Sequence, residues 1–564
     1  MRVSASRVSS AVVFSATAAL AAGAQTPGHR HHEDPPAKFS QAGPSGQLAP
    51  RLQNLGKHVF PVTTKTARAQ LFINQGVNLA YGFNHAEADR SFKEAARLDP
   101  DCAMAWWGRA LVFGPNINAP MAPEAEPVAL GLINKAMALR AKASLKERGY
   151  IEALAKRYTG DAKDRTAADK AYAVAMRKLH KTFPADLDMA TLFAEALMDL
   201  RPWNYWRRDG SAHEETPEVL RVLEAAMKKD PHHAGANHLY IHLVESTWSP
   251  ERAEGAADRL LPAMPGAGHM VHMPSHIYMR IGRYTDASKS NQMAIAADED
   301  YITQCRAQGM YPLAYYPHNI HFLWAAATME GRSQEAIEAA LKTASKVPLE
   351  QLSTIPLMQI FLAAPWFALT RFGKWEEILK EPKMQEGYPF LTGVRNYARG
   401  AAFAATGKFA EAESELADLA KSWQDVKGNP TVSFSVNSGE AILAVGRAVL
   451  AGEIAARRGD TDRAIALLHE AVLLEDGLIY TEPADWHYPV RQSLGAVLLA
   501  AGRAAEAETI YWDDLSRNRE NGWSLFGLMQ ALKAQEKTDQ AAAVEKRFQK
   551  AWATADVKLT ASRF

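Results

Sequence analysis

From about residue 60 onward, apolar side chains recur at spacings of three and four, with polar residues filling the opposite face. That is the pattern of amphipathic α-helices. Ala, Leu, Glu, Lys and Arg dominate, and no sustained alternation of β-branched residues appears. Gly or Pro interrupts the pattern at short intervals, and the interruptions resemble one another. Gly282-Arg283-Tyr284 precedes Ala287, and Gly407-Lys408-Phe409 precedes Ala412. Gly459-Asp460-Thr461 precedes Ala464, and Gly502-Arg503-Ala504 precedes Ala507. Each time a Gly ends one helix, a short turn follows, and an Ala packs early in the next. Asp99-Pro100 and Asp230-Pro231 close further units. Such units cannot bury their apolar faces alone and must stack, which predicts an all-α solenoid of helix-turn-helix repeats.

Between Ala69 and Cys102, residues Phe72, Gly76, Leu79, Ala88, Phe92, Ala95 and Pro100 fall at the places of a 34-residue unit. On these residues the chain resembles the tetratricopeptide repeat family. The same register starts units near Ala103, Leu187, Ala234, Gly268, Pro317, Gly393, Val445, Tyr488 and Gly522. The resemblance covers most of residues 60–555 and implies a right-handed α-solenoid of about nine to eleven helix pairs. We divide it into N-terminal repeats (56–185), central histidine-rich repeats (186–345) and C-terminal repeats (346–564). Unit spacing requires insertions near 202–216, 302–316 and 476–487. They carry Trp203, Trp206, Tyr315, Tyr316 and Trp486, which read first as packing residues.

The histidines change the picture. Of 18, nine lie between His232 and His321, and none occurs from Phe322 to Leu468. His238 and His242, then His269, His272 and His276, then His318 and His321 stand three, four or seven residues apart, the spacings of one helical face. The resemblance implies that the second, fifth, ninth and twelfth positions of each unit's first helix line the concave groove. In the unit at Ala234 these are Gly235, His238, His242 and Glu245. In the unit at Gly268 they are His269, His272, His276 and Met279. In the unit at Pro317 they are His318, His321, Ala325 and Thr328. All seven histidines land on that stripe, and Glu195 holds the ninth position of the unit at Leu187.

Packed helices stand about 8–10 Å apart, so imidazoles on neighbouring stripes can converge on one ion. Neutral imidazole suits copper, zinc and iron, and Glu245 and Glu195 offer oxygen ligands. Seven histidines exceed one mononuclear site, so the expectation is one or two transition metals. A groove that takes a peptide or partner protein without metal is the alternative, and whether there is catalysis stays open. Pro274 complicates the middle block: a helix starting near Ser275 leaves His269 and His272 on the approaching loop. His232 and His233 follow Pro231 in a loop and are set aside. Late in the chain, Glu482, Asp485, Trp486, His487 and Arg491 form a polar, aromatic patch that would join the groove if the array curves back. With Met279, residues Glu482, Trp486, His487 and Arg491 are the candidate groove contacts.

Composition narrows the classes. Apolar residues make up 47% and charged residues 23%, as in a globular protein. The net charge of +1 shows no polycation, which disfavours nucleic acid as a partner. Arg2 and Arg7, the apolar run Ala11–Ala22 and Ala22-Gly23-Ala24 read as a signal peptide over 1–24, so we expect export to the periplasm or beyond. Residues 25–55, with His29, His31 and His32, read as a flexible His- and Pro-rich tail. No later stretch is apolar for long enough to span a bilayer. There is no His-Glu-x-x-His, paired-Cys or phosphate-loop motif. Export would permit a disulfide, but nothing in the sequence shows that Cys102 and Cys305 meet.

Overall fold

The structure, a computed structural model, describes residues 46–160, 165–305, 311–380, 387–428, 433–434 and 436–564. The leader and the tail as far as residue 45, with His29, His31 and His32, lie outside the described residues. The remainder of the tail is packed. Leu48 N–H donates to Glu94 and Leu52 N–H to Gln75, while Ala49 and Leu55 are buried.

Helices follow one another in antiparallel pairs; among the described residues the only strands are the two-residue pair Ser433–Phe434 and Asn437–Ser438. The helix boundaries are written in the sequence. Thr66 accepts a hydrogen bond from Ala69 N–H to start helix Ala67–Tyr81, and Asn84 accepts one from Glu87 N–H to start His85–Leu98. Gly282, at φ +82°, ends helix Pro274–Ile281 in the left-handed conformation that favours glycine. The repeat glycines work by absence. A Cβ on Gly76 or Gly108 would sit 2.6 or 2.5 Å from the Phe92 ring, so two first helices close on one aromatic of the helix between them. Gly495 and Gly527 flank Tyr511 in the same way.

The described residues belong to one unit, within which two large apolar clusters run from Ala49 to Ala326 and from Ile295 to Leu559. The histidine-bearing helices Ala234–Val244, Gly268–His272, Pro274–Ile281 and Tyr316–Met329 lie where these clusters adjoin. Later repeats also reach back to them. Tyr284 donates to the Arg519 carbonyl at 2.8 Å, and Trp523 Nε1 donates to the Thr328 carbonyl at 2.9 Å. Arg208 donates to the Gly477 carbonyl and so joins the 202–216 and 476–487 insertions. Cys102 and Cys305 are both buried and free. Burial pushes the Cys102 thiol up to about 11 and raises Cys305 as well, so neither is a reactive thiolate.

Pro274 is less disruptive than its sequence position implies. Gly268–His272 is a short helix, Met273 keeps helical angles (φ −50°, ψ −36°), and Pro274 occupies the first position of the next helix, where no N–H is needed. His269 and His272 therefore sit on helical backbone rather than on a loop.

Candidate metal centre

Six of the seven stripe histidines form two sets of three. The candidate ligand atoms of His238, His242 and His269 lie within 4.8 Å of one another, as do those of His272, His276 and His318. Within the first set, His238 Nε2 faces His269 Nε2 at 3.2 Å. Within the second, His272 Nε2 lies 2.7 Å from His276 Nε2 and 3.1 Å from His318 Nε2. The sets adjoin, with ring centroids 5.8 Å apart for His242 and His276 and 5.9 Å for His269 and His272.

For four of the six rings, hydrogen bonds on the far side decide which nitrogen is free. His238 Nδ1 is 2.7 Å from the Tyr81 carbonyl, which can only accept, so we assign the proton to Nδ1 and a lone pair to Nε2. His272 Nδ1 donates to Asn291 Oδ1 at 2.7 Å; Asn291 is oriented by donating from Nδ2 to the Ala287 carbonyl. His242 Nδ1 donates to Glu245 Oε1 at 2.9 Å, and its Nε2 is buried without a partner. His276 Nδ1 donates to Glu245 Oε2, with Glu482 Oε2 at 3.3 Å. Glu245 thus ties one imidazole of each set from behind. Outer-shell acceptors of this kind fix the tautomer and raise the basicity of metal-ligating histidines.

The electrostatics agree. Burial pushes His242 and His318 down to about 3 and His276 down to about 4, and holds His238, His269 and His272 well below the ordinary imidazole range. All six are neutral near pH 7, the state in which imidazole ligates. Phe83 packs over the first set, 4.6 Å from His238 and 5.4 Å from His269. Phe322 packs against the second, 4.9 Å from both His272 and His276.

Three candidates are placed otherwise than the stripe implies. His321 joins neither set: its ring stacks on Trp324 at 4.8 Å and meets Phe361 of helix Met358–Arg371 at 5.5 Å. Glu195 lines a separate small cavity with Asp199, Arg157 and His85, where burial and the Asp199 charge raise its carboxyl to about 8. Glu245 stands behind the imidazoles, on their Nδ1 atoms. With His276 and Glu482 it also forms a further group whose candidate ligand atoms lie within 4.8 Å of one another.

The five groove candidates, Met279, Glu482, Trp486, His487 and Arg491, all line one cavity of about 1090 Å3 beside the second set. Trp203 and Trp206, read first as packing residues, line it too, and Trp203 meets His242 at 5.2 Å. Tyr315 lies edge-on to His269 at 4.8 Å.

Sequence reading missed a third cluster. Asp188 Oδ1 is 2.8 Å from His58 Nε2 and 3.3 Å from His233 Nε2, and it accepts from the Tyr81 hydroxyl at 2.6 Å. His233 caps helix Ala234–Val244 by accepting from Ala236 N–H at Nδ1, which leaves its Nε2–H to donate to Asp188. We read this cluster as a hydrogen-bonded brace. The outer-shell Asn291 and the Tyr81 carbonyl were missed as well. A backbone carbonyl leaves no sequence signal, and Asn291 lies in a different helix from the histidine it orients.

Fold and site together define an all-α array of stacked helices with an internal cluster of histidines. No family model matches the chain, and no curated protein matches it. Among solved structures, the human IFIT1 dimer with m7Gppp-AAAA is 13% identical, covering 87% of this chain and 91% of that one, with a TM-score of 0.31. The yeast Tom70 structure is 10% identical over 86% of this chain and 93% of its own, at a TM-score of 0.28. The P58(IPK) TPR domain is 14% identical over 84% and 100%, at 0.22. Scores this low carry no argument about function. Among the described residues no helix is long and apolar enough to cross a membrane.

Proposed function

We propose that this is an exported metalloprotein that binds two transition-metal ions, one at His238, His242 and His269 and one at His272, His276 and His318. One observation carries this reading. Imidazoles converge through Nε2 atoms while their Nδ1 protons are committed outward to Tyr81, Asn291 and Glu245. Lone pairs facing one another across 2.7 Å repel, and a cation between them removes the repulsion. Metal–nitrogen bonds of about 2.0–2.1 Å bring ligand nitrogens about 3 Å apart, close to the separations of His238 from His269 (3.2 Å) and of His272 from His276 (2.7 Å) and His318 (3.1 Å).

All-imidazole sets without a carboxylate favour copper or zinc over the two-histidine, one-carboxylate iron site. Three protein ligands leave coordination positions open, the arrangement of catalytic rather than structural sites. Redox chemistry follows if the metal is copper, and hydrolytic chemistry if it is zinc. The metal-free peptide groove is disfavoured because His238, His242, His269, His272 and His276 are buried and present no open face to a peptide.

Elemental analysis of the full mature chain, purified without chelator or affinity metal, tests the proposal. We expect two equivalents of copper or zinc per chain. A chain isolated without metal that also takes up none of either on dialysis would end it.

A further inference from the structure

The cavity beside the second histidine set holds polar groups that the protein itself leaves unsatisfied. Trp324 Nε1, Trp486 Nε1, Arg280 Nε and the Tyr480 hydroxyl are each buried without a hydrogen-bond partner, and all belong to residues that line this one cavity. Trp324 and Trp486 are only 2% and 3% exposed. A buried donor without a partner has lost its bond to water and gained nothing in return, so four around one space point to a ligand that supplies acceptors.

The charges point the same way. The cavity carries carboxyls as well as arginines, but most of the carboxyls are already engaged. Asp476 pairs with Arg491 and Arg517, Asp485 accepts from Asn437 at 2.7 Å, and Asp514 accepts from Ser524, Asn518 and Asn521. Glu482 is the exception: it lies 3.3 Å from His276, neither of its oxygens has a hydrogen-bond partner, and its carboxyl is the strongest opposing charge felt by Arg280, so a bound anion must share the cavity with it. Arg280 instead donates to a backbone carbonyl, that of Thr247, at 2.8 Å, and lies over the Tyr480 ring at 5.1 Å; it has no carboxylate within salt-bridge distance among the described residues. Arg207 and Arg208 at the rim likewise donate to the carbonyls of Ala212 and Gly477. The walls between these groups are aromatic: Trp203, Trp206, Trp324, Tyr480 and Trp486.

We propose that this cavity binds a small aromatic carboxylate, its ring between the tryptophans and its carboxylate on Arg280 and the indole N–H donors. A carboxylate offers about four acceptor sites, which matches donors that have nothing else to bond. The aromatic ring supplies stacking surface for the indoles. This inference concerns the cavity next to the proposed metal centre and does not depend on metal occupancy.

The test is calorimetric titration of the full chain, metal-free and metal-loaded, with 3-phenylpropionate and its neutral counterpart 3-phenylpropanol. We expect the acid to bind at least about tenfold more tightly than the alcohol, since a hydrogen bond to a charged group adds roughly 1.5–3 kcal/mol. Arg280→Met should erase most of that ratio, and Arg280→Lys should restore part of it. Trp203→Ala, at the half-buried edge of the cavity, should weaken acid and alcohol alike, which covers the case in which Arg280→Met fails to fold. Equal binding of acid and alcohol, an unchanged ratio in Arg280→Met, or tighter binding of an unrelated ten-residue peptide would each overturn the inference. Metal content measured on the same samples separates the two proposals. Acid binding by a chain that takes up no metal supports this one and ends the other.

Discussion

His272 and His276 present their Nε2 atoms to each other across 2.7 Å, while the Nδ1 proton of each is held by an acceptor on the opposite side of its ring. Neither nitrogen can donate to the other in the neutral tautomers so fixed. On the proposed reading a cation lies between them, with His318 Nε2, 3.1 Å from His272, as the third corner.

Loss of a ring should therefore remove one ion and leave the other. His272→Ala is expected to lower the metal content from two equivalents to one, and His238→Ala to do the same at the first set. The melting temperature in excess metal should fall with it, since ligand that binds only the native state stabilises it. His321→Ala should keep both ions, because His321 stacks on Trp324 outside either set. Elemental analysis and thermal melting on the three variants check this, and metal loss in His321→Ala alone would relocate the site.

Glu245 should matter to both ions at once. Its two oxygens accept from His242 and His276, one imidazole of each set, and it is fully buried. Glu245→Gln puts a donor where an acceptor is needed and releases one of the two rings. The expected result is a loss of about 10–100-fold in affinity, the usual range for outer-shell changes, spread over both sites rather than confined to one. Competition titrations with a chromophoric chelator would show it. An unchanged first site would mean that Glu245 serves the second alone.

A pH effect on folding should trace to Asp298. Burial pushes its carboxyl from 3.8 up to about 7, against hydrogen bonds from Tyr311 and Asn319 at 2.8 and 2.7 Å. Because the folded value lies above the unfolded one, its contribution is complete below about pH 4 and is lost as pH rises to about 7. Asp298→Asn lacks that titration. The melting temperature of the metal-free variant, relative to the natural chain, should thus rise between pH 4 and pH 7. A difference that stays flat across this window would place the Asp298 proton elsewhere.

How much of this was legible beforehand differs from residue to residue. The repeat register placed His238, His242, His269, His272, His276 and His318 on one stripe, because side chains three and four apart share a helical face whatever surrounds them. The same rule misplaced His321. Its helix has a further neighbour along the array, helix Met358–Arg371, and His321 turns to Phe361 there. Glu195 failed in a similar way. Its carboxyl lines another cavity, beside Asp199 and the Arg157 that pairs with it. Neither outcome can be read from spacing along one helix, since both depend on what the adjacent helix presents.

The sequence by itself determined the helical repeats, the glycines that end their helices and the histidine stripe, since each follows from short-range periodicity and local backbone preference. Only the tertiary structure decided that six histidines divide into two sets of three, and that Glu245 stands behind them. It alone places the 476–487 insertion so that Glu482 reaches His276 and Trp486 lines the neighbouring cavity. The reason is physical. Ring orientation is set by the acceptor on the far nitrogen, and those acceptors are the Tyr81 carbonyl, Asn291 and Glu245. Two of the three lie in helices other than that of the imidazole they hold, and Glu245 reaches from its own helix to a ring on another.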